Sequence, residues 1–202
     1  SLASASRQFG TAQDGGTLLI PVLQPTALAG STRDVLAAAP AAAGAVLVTG
    51  GLGGLGLLTA AWLEREEGLA GRLVLLGRTG RSASSLARQL SSMAPGSAAA
   101  LQLSTAAEEA VAAVAEASVQ HAITAMLHAG GVLTDSLLAN QTLRSLRAVA
   151  APKSQGLALL GSAALGQPVQ LLLLYSSIAG ELGTAGQGNY AASKAGLVGM
   201  SK

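Results

Sequence analysis

A tyrosine and a lysine stand four residues apart in the segment GQGNYAASKAG, which otherwise consists mostly of small residues. Positions i and i+4 share one face of a helix, so a helix here would bring the Tyr190 hydroxyl and the Lys194 ammonium together. A nearby cation favours the ionised form of a tyrosine, which lets the phenol exchange a proton with a substrate. The pair therefore indicates a general acid, with an incidental pair on a surface helix as the alternative.

The composition of the 202-residue chain limits the classes of function. Half of the residues are hydrophobic but only 2% are aromatic, so the core must be built from alanine, leucine and valine. The formal charge is only +2, and no basic run carries interleaved aromatic residues, which argues against nucleic-acid binding. No apolar run approaches the roughly 20 residues needed to span a bilayer, which argues against a membrane partner.

The absence of cysteine excludes disulfides and thiolate chemistry, and it fits a cytoplasmic location. The opening segment SLASASRQFG is rich in serine and alanine and lacks acids, so it is similar to an organellar transit segment, although we prefer a linker. The first residue is serine rather than methionine, as expected for a piece of a longer protein. No cluster of histidine, aspartate and glutamate has metal-ligand spacing, so we expect no metal.

Strands and helices alternate along residues 45–202. Short apolar runs predict five buried strands in AVLVTGG, RLVLLG, AALQLS, AITAMLHAGG and PVQLLLLYSS. Helical patterns separate them, including SASSLARQLSSM, TAAEEAVAAVAEAS and a long helix interrupted at Pro152. This alternation predicts an α/β domain with a doubly wound parallel sheet, the Rossmann fold, and the apolar run Leu171–Leu174 indicates strands covered on both faces. Residues 1–44 are predicted to be a linker or N-terminal extension, with TLLIPVL as one strand.

A glycine-rich loop follows the first of these strands. Its sequence TGGLGGLG has the G-x-G-x-x-G spacing between a predicted strand and a predicted helix. Glycines permit the tight turn and let a pyrophosphate approach the backbone, while the helix N-terminus supplies oriented N–H groups. We therefore expect a dinucleotide site, with a structural turn as the alternative. The expected cofactor-binding residues are Thr49, Gly50, Gly51, Gly53, Gly54, Leu55 and Gly56, with Ala129 and Gly130 after the fourth strand.

The end of the second strand indicates which dinucleotide binds. An NAD site usually places an acidic residue about 20 residues onward, where it bonds the ribose 2′-hydroxyl. Here the strand ends in LLGRTGR, with Arg78 and no acid, and an arginine can pair with a 2′-phosphate. The prediction is NADPH, and the alternative for Arg78 is a solvated loop cation.

Five segments together resemble the ketoreductase domain of type I polyketide synthases and animal-type fatty acid synthases, a branch of the short-chain dehydrogenase/reductase superfamily. They are VLVTGGLGGLG, VLLGRTGR, LHAGGVLTDSLL, APKSQG and YSSIAGELGTAGQGNYAASKAG. The resemblance implies NADPH-dependent reduction of a β-ketoacyl thioester on an acyl carrier protein, beside neighbouring synthase domains, in polyketide or fatty acid biosynthesis. The family has two further strands and a substrate lid, so we expect a fold truncated after the Tyr190 helix.

The resemblance also assigns catalytic residues. Tyr190 matches the family's tyrosine, which donates a proton to the alkoxide that hydride transfer creates. Ser177 matches the serine that hydrogen-bonds the carbonyl oxygen. The lysine of the APK motif matches Lys153, whereas the family usually has asparagine at the position of Lys194. Which lysine serves the tyrosine stays open, and two like charges at one site should depress the pKa of one lysine.

The sequence also predicts roles for Asp135, Leu182 and His128. Asp135 matches the last acid of the family's LDD motif for B-type domains, and Leu182 stands where A-type domains carry tryptophan. The resemblance therefore favours a D-configured hydroxyl, although Thr134 replaces one acid of the motif. His128, at a strand end beside glycines, is expected to be structural or to line the cofactor.

Two other functions stay open at this point. Lys194 favours a free-standing 3-oxoacyl-reductase-like enzyme, whereas the APKSQG motif and the non-methionine start argue against it. The other alternative is a catalytically silent, truncated copy that serves as an interaction scaffold. Cofactor binding without turnover would indicate the scaffold.

Overall fold

An antiparallel pair of strands occupies the N-terminal part of the chain. In this computed structural model, which describes residues 3–11, 17–25, 44–67, 72–78, 98–102 and 121–200, β1 (Ala3–Thr11) pairs with β2 (Thr17–Pro25). The strand in TLLIPVL is thus confirmed, while the opening segment forms a strand where the sequence predicts a linker. Alanine and serine favour strands weakly, so β1 depends on pairing with its partner rather than on its own residues.

A five-stranded parallel sheet organises the rest of the described chain. Its strands are β3 (Ala45–Thr49), β4 (Leu73–Gly77), β5 (Ala98–Gln102), β6 (Ile123–His128) and β7 (Leu171–Leu174). They lie in the order β5-β4-β3-β6-β7, and every neighbouring pair is parallel. The strand order reverses between β3 and β6, as in a Rossmann fold, so the predicted fold class is confirmed.

The helices follow the predicted alternation where the structure describes them. They are α1 (Gly54–Glu67), α2 (Leu143–Ala150), α3 (Gly156–Ala163), α4 (Ala179–Leu182) and α5 (Gly188–Met200), with a short 3-10 turn at Leu138–Asn140. A π-helical turn, Ala151–Gln155, joins α2 to α3 and confirms the interruption at Pro152, which has no N–H to donate to the preceding turn. The predicted helices SASSLARQLSSM and TAAEEAVAAVAEAS lie outside the described residues. Within the described ranges, no helix is both long and apolar enough to cross a membrane.

Small aliphatic side chains form a core on both faces of the sheet. Alternate residues of β3 enter opposite clusters: Val46 and Val48 pack with α1, while Leu47 packs with Leu160 of α3. This alternation is the side-chain period of a strand that is buried on both faces. The sequence also predicts that the strand Leu171–Leu174 is covered on both faces. That prediction is wrong for Leu172, which is 49% exposed, because β7 ends the described sheet and pairs only with β6.

Candidate active site

The carboxyl ends of β3 and β6 meet where the strand order reverses, which is where such sheets bind their ligands. Thr49 ends β3 and His128 ends β6, and the two residues are register partners. Both are buried, and Thr49 Oγ1 lies 2.6 Å from His128 Nδ1. The backbone N–H of Ala129 donates to the Thr49 carbonyl at 3.0 Å, which holds the predicted Ala129–Gly130 segment against the end of β3.

Three glycines close the loop onto the sheet. Gly50 has φ of +65°, and a Cβ there would lie 2.8 Å from the carbonyl oxygen of Ala129. A Cβ on Gly51 would lie 2.7 Å from the Val48 carbonyl oxygen, and one on Gly56 would lie 2.6 Å from Gly51 Cα. These positions need glycine because the main chain passes itself closely there.

The remaining loop residues face outward at the start of α1. Gly53, Gly54 and Leu55 are exposed, and a Cβ on Gly54 would meet nothing within 4 Å. The first amides of a helix lack an intrahelical acceptor and attract anions. The open space above Gly54 together with these donors fits the pyrophosphate of a dinucleotide.

Arg78 follows β4 at the same end of the sheet. Leu76 of β4 is the register partner of Thr49, so Arg78 lies just beyond the level at which the glycine loop leaves β3. A Cβ on Gly77 would lie 2.9 Å from Leu52 Cδ1, so the end of β4 packs against that loop. Arg78 is exposed at this position.

The first turns of α5 bring the catalytic candidates together. Tyr190 is half-buried, and Lys194 lies one turn further along the same helix. The Lys194 ammonium nitrogen is 5.7 Å from the centre of the Tyr190 ring, and that of Lys153 is 5.0 Å from the same point. Both lysines predicted from the sequence therefore place their ammonium nitrogens 5.7 Å or less from the centre of the predicted tyrosine's ring.

Lys153 is fully buried and its ammonium is held by main-chain oxygens. The nitrogen donates to the carbonyl of Val149 at 2.9 Å and to that of Val132 at 3.2 Å. The pKa of Lys153 is lowered to about 8, mainly by burial and secondly by the nearby charge of Lys194. An ammonium in this setting releases its proton far more readily than an exposed lysine.

Lys194 is also buried and is held by a different main-chain oxygen. Its ammonium donates to the main-chain carbonyl of Tyr175, directly after β7. The Tyr175 hydroxyl in turn lies 2.6 Å from Thr59 Oγ1 on α1. Burial lowers the pKa of Lys194 as well. The two lysines thus approach one ring from two separately fixed segments.

Ser177 lies on the segment that leads from β7 into α4. Its hydroxyl is half-buried and accepts a hydrogen bond from the Ala179 N–H at 3.2 Å, so it bonds its own segment rather than Tyr190. That segment packs closely on α5, since a Cβ on Gly180 would lie 3.0 Å from the Ala195 nitrogen and 3.2 Å from the Lys194 carbonyl carbon. Leu182, the other predicted residue here, is 46% exposed on α4.

The loop that carries Asp135 is fastened to the turn before α5. Asp135 is exposed, and its carboxylate accepts from Gln187 Nε2 at 2.8 Å. The Ser136 N–H donates to the Gly186 carbonyl at 2.8 Å. Asp135 therefore lies beside the N-terminus of α5 rather than next to the two lysines.

Asn189 is a site residue that the sequence reasoning missed. It is buried, donates from Nδ2 to the Thr134 carbonyl at 2.8 Å, and accepts from the Tyr190 N–H at 2.7 Å through Oδ1. It thereby fixes the start of α5 against the Asp135 loop. The available signal was an asparagine at the beginning of a predicted helix, where its side chain commonly accepts from main-chain amides.

Comparison with known proteins identifies the family of this chain. The family model described as the KR domain matches residues 44–201. The chain is 39% identical over 158 residues to the spectinabilin polyketide synthase system protein NorB of Streptomyces orinoci. This match covers 76% of this chain and 7% of that protein. It is 38% identical over 157 residues to the polyketide synthase GfsB of Streptomyces halstedii, covering 76% of this chain and 3% of that protein. The chain thus spans less than a tenth of the length of either relative.

A solved structure agrees with the sequence relatives. PlmKR1, the ketoreductase from the first module of phoslactomycin biosynthesis in Streptomyces sp. HK803, superimposes with a TM-score of 0.73 at 30% identity. The match covers 93% of this chain and 42% of that one. The chain therefore belongs to the KR domain family, the ketoreductase domains of polyketide synthases within the short-chain dehydrogenase/reductase superfamily.

Proposed function

We propose that the chain reduces a β-ketoacyl thioester to the β-hydroxyacyl thioester with NADPH, as one domain of a multidomain synthase. The observation that carries this proposal is the Tyr190 ring with two buried lysine ammoniums 5.0 Å and 5.7 Å from its centre, one of them on a residue that His128 links to Thr49 at the end of β3. The substrate is attached to an acyl carrier protein, and neighbouring synthase domains deliver and remove it. The polyketide synthases among the relatives support this context. We place the reaction in the cytoplasm, in keeping with the cysteine-free composition.

The side chains of this protein donate the proton and stabilise the negative charge that forms during the reaction. The nicotinamide cofactor supplies a hydride to the β-carbon when it is bound. The Tyr190 hydroxyl donates its proton to the oxygen that becomes an alkoxide, and the Ser177 hydroxyl bonds that oxygen as its charge grows. The ammoniums of Lys153 and Lys194 stabilise the tyrosinate that remains.

Members of the family bind a nicotinamide cofactor, and we propose that the glycine loop holds it in this chain. The open surface at Gly53, Gly54 and Leu55 receives the pyrophosphate. Thr49, Ala129 and Gly130 line the crevice where the strand order reverses. Arg78 pairs with the 2′-phosphate, which is the basis for proposing NADPH rather than NADH.

The direction of hydride attack depends on how the substrate enters. Asp135 lies on the loop tied to Gln187 at the start of α5, and Leu182 lies on α4, which packs on α5 at Lys194 and Ala195. We propose that these segments orient the thioester for a D-configured product. Chiral separation of the β-hydroxyacyl product tests this assignment, and an L-configured product would contradict it.

The proposed reaction is tested by following NADPH consumption with a β-ketoacyl thioester. Turnover should collapse in Tyr190→Phe, since the acid is lost. Tyr175→Phe is the matched control: it removes the only other tyrosine hydroxyl of the chain but keeps the main-chain carbonyl that holds Lys194. A folded chain that binds NADPH without any turnover would contradict the proposal and favour the scaffold. Acyltransferase or carrier domains in the complete reading frame would separate a synthase domain from a free-standing reductase.

A further inference from the structure

His128 is a buried ionisable residue that the proposed reaction does not use. Its side chain is only 2% exposed at the end of β6. Nδ1 lies 2.6 Å from Thr49 Oγ1, and Nε2 lies 3.0 Å from the main-chain oxygen of Lys153. The ring therefore bridges the strand end that begins the glycine loop and the π-helical turn that carries a catalytic lysine.

The hydrogen bonds determine which ring nitrogen carries the proton. The Lys153 carbonyl oxygen can only accept, so Nε2 must be the donor. In the neutral ring Nδ1 is then an acceptor, and the Thr49 hydroxyl donates to it. Burial is the main cause that lowers the pKa of His128, and the charges of Lys194 and Lys153 lower it further, which keeps the ring neutral.

Two glycines lie next to the ring, at positions where even a Cβ would make only ordinary van der Waals contact with it. A Cβ on Gly156 would lie 3.5 Å from His128 Cε1, and one on Gly130 would lie 3.7 Å from the same atom. The imidazole thus fills a slot between the end of β6 and the start of α3. Because the ring is buried and each of its nitrogens has a partner, its position helps to fix the position of the Lys153 main chain.

Lys153 is anchored at both ends of the residue. His128 holds its carbonyl oxygen, while the carbonyls of Val132 and Val149 hold its ammonium. The main chain of His128 reaches the second lysine as well, since its carbonyl accepts from the Tyr175 N–H at 3.1 Å and the Tyr175 carbonyl accepts from Lys194. His128 therefore contributes to the placement of both lysines, through its ring for Lys153 and through its main-chain carbonyl for Lys194.

We propose that His128 is a positioning residue, which couples the glycine loop through Thr49 to the placement of the Lys153 ammonium beside Tyr190. This inference rests on the proposed function, because its catalytic consequence requires that the lysine serve the tyrosine. It assigns no contact between His128 and the substrate. A change at His128 should therefore alter the chemical step more than the affinity for NADPH.

The test compares His128→Leu, which loses both hydrogen bonds, with His128→Gln, whose amide can still donate to the Lys153 carbonyl. We expect His128→Leu to lower kcat about tenfold while the NADPH dissociation constant, measured by fluorescence, changes little. His128→Gln should recover part of this loss. An unchanged kcat in folded His128→Leu, or an equal loss in both variants, would overturn the inference.

A second readout does not depend on turnover. In side-chain NMR of Lys153, His128→Leu should raise the pKa of that ammonium from about 8, because the loosened turn admits water. An unshifted Lys153 signal would overturn the positioning role even if the wild type proved inactive, whereas inactivity alone would count against the proposed function.

If His128→Leu does not fold, Thr49→Val removes only the donor to Nδ1 and Thr49→Ser restores it. We expect a lower kcat and an altered Lys153 signal in the first variant and recovery of both in the second. Wild-type behaviour of Thr49→Val in both measurements would overturn the coupling.

Discussion

The pKa of Lys153 depends on the neighbouring charge of Lys194, and this dependence can be measured directly. In the folded chain the pKa of Lys153 is lowered from 10.5 to about 8, first by burial and second by that charge. The two ammonium nitrogens lie 5.0 Å and 5.7 Å from the centre of one ring, so they are within about 11 Å of each other. Replacing Lys194 with asparagine removes one charge, and the pKa of Lys153 should rise.

Coulomb's law sets the size of this rise. At the largest possible separation, about 11 Å, two unit charges repel by about 0.4 kcal/mol at the dielectric constant of water and by about 1.5 kcal/mol at an effective value of about 20, and a shorter separation gives more. These energies correspond to about 0.3 and 1.1 pH units. Since burial is the larger cause of the lowering, the charge of Lys194 accounts for less than half of it, which sets an upper limit of about 1.2 pH units.

Side-chain NMR of isotopically labelled lysine provides the assay. The sequence contains only three lysines, Lys153, Lys194 and Lys202, so single substitutions assign every signal. Lys153 should titrate near pH 8 in the native chain and about 0.3 to 1.2 pH units higher in Lys194→Asn, with Lys202→Arg as the control that leaves it in place. A Lys153 that titrates near 10.5 in the folded chain, or whose pKa is unmoved in Lys194→Asn, would refute the coupling of the two lysines.

Three further predictions concern the loop, the cofactor and stability. Gly56→Ala should lower the melting temperature, because its Cβ would lie 2.6 Å from main chain, whereas Gly54→Ala, with nothing within 4 Å, should not. Arg78→Gln should raise KM for NADPH at least tenfold and leave KM for NADH unchanged; equal changes would contradict the 2′-phosphate contact. Between pH 8 and 10.5 the unfolded chain binds more protons at Lys153, so this residue should raise the unfolding free energy with pH by up to about 3 kcal/mol. Lys153→Met should reduce the rise to the part that Lys194 contributes, because burial lowers the pKa of Lys194 as well.

The sequence predicted the sheet and the residues around Tyr190 because both depend on local patterns. Apolar runs and glycines marked β3, β4 and β6, and the i,i+4 spacing placed Lys194 on the face of Tyr190. Strand β1 was missed because its alanines and serines form a strand only through pairing with β2. The exposure of Leu172 was missed because neighbours in the sheet, rather than the residue itself, decide burial.

Contacts between distant segments could not be predicted in the same way. The bond from His128 to the Lys153 carbonyl joins residues 25 positions apart, and that from Asn189 to the Thr134 carbonyl joins residues 55 apart. Each depends on a main-chain oxygen whose position is set by the packed fold. The sequence showed two candidate lysines, but only the structure shows that both are buried and that different carbonyls hold them.

The central claim is tested most directly with NADPH that carries deuterium at both hydrogens of the nicotinamide C4. The measurement follows transfer of deuterium to the β-carbon of a β-ketoacyl thioester. The product should carry one deuterium at the β-carbon when the native chain is used, as measured by mass spectrometry. Tyr190→Phe should still bind NADPH but yield almost no labelled product, because the alkoxide is left without its proton donor. Unlabelled product or none from the folded native chain, or full labelling by Tyr190→Phe, would contradict the account.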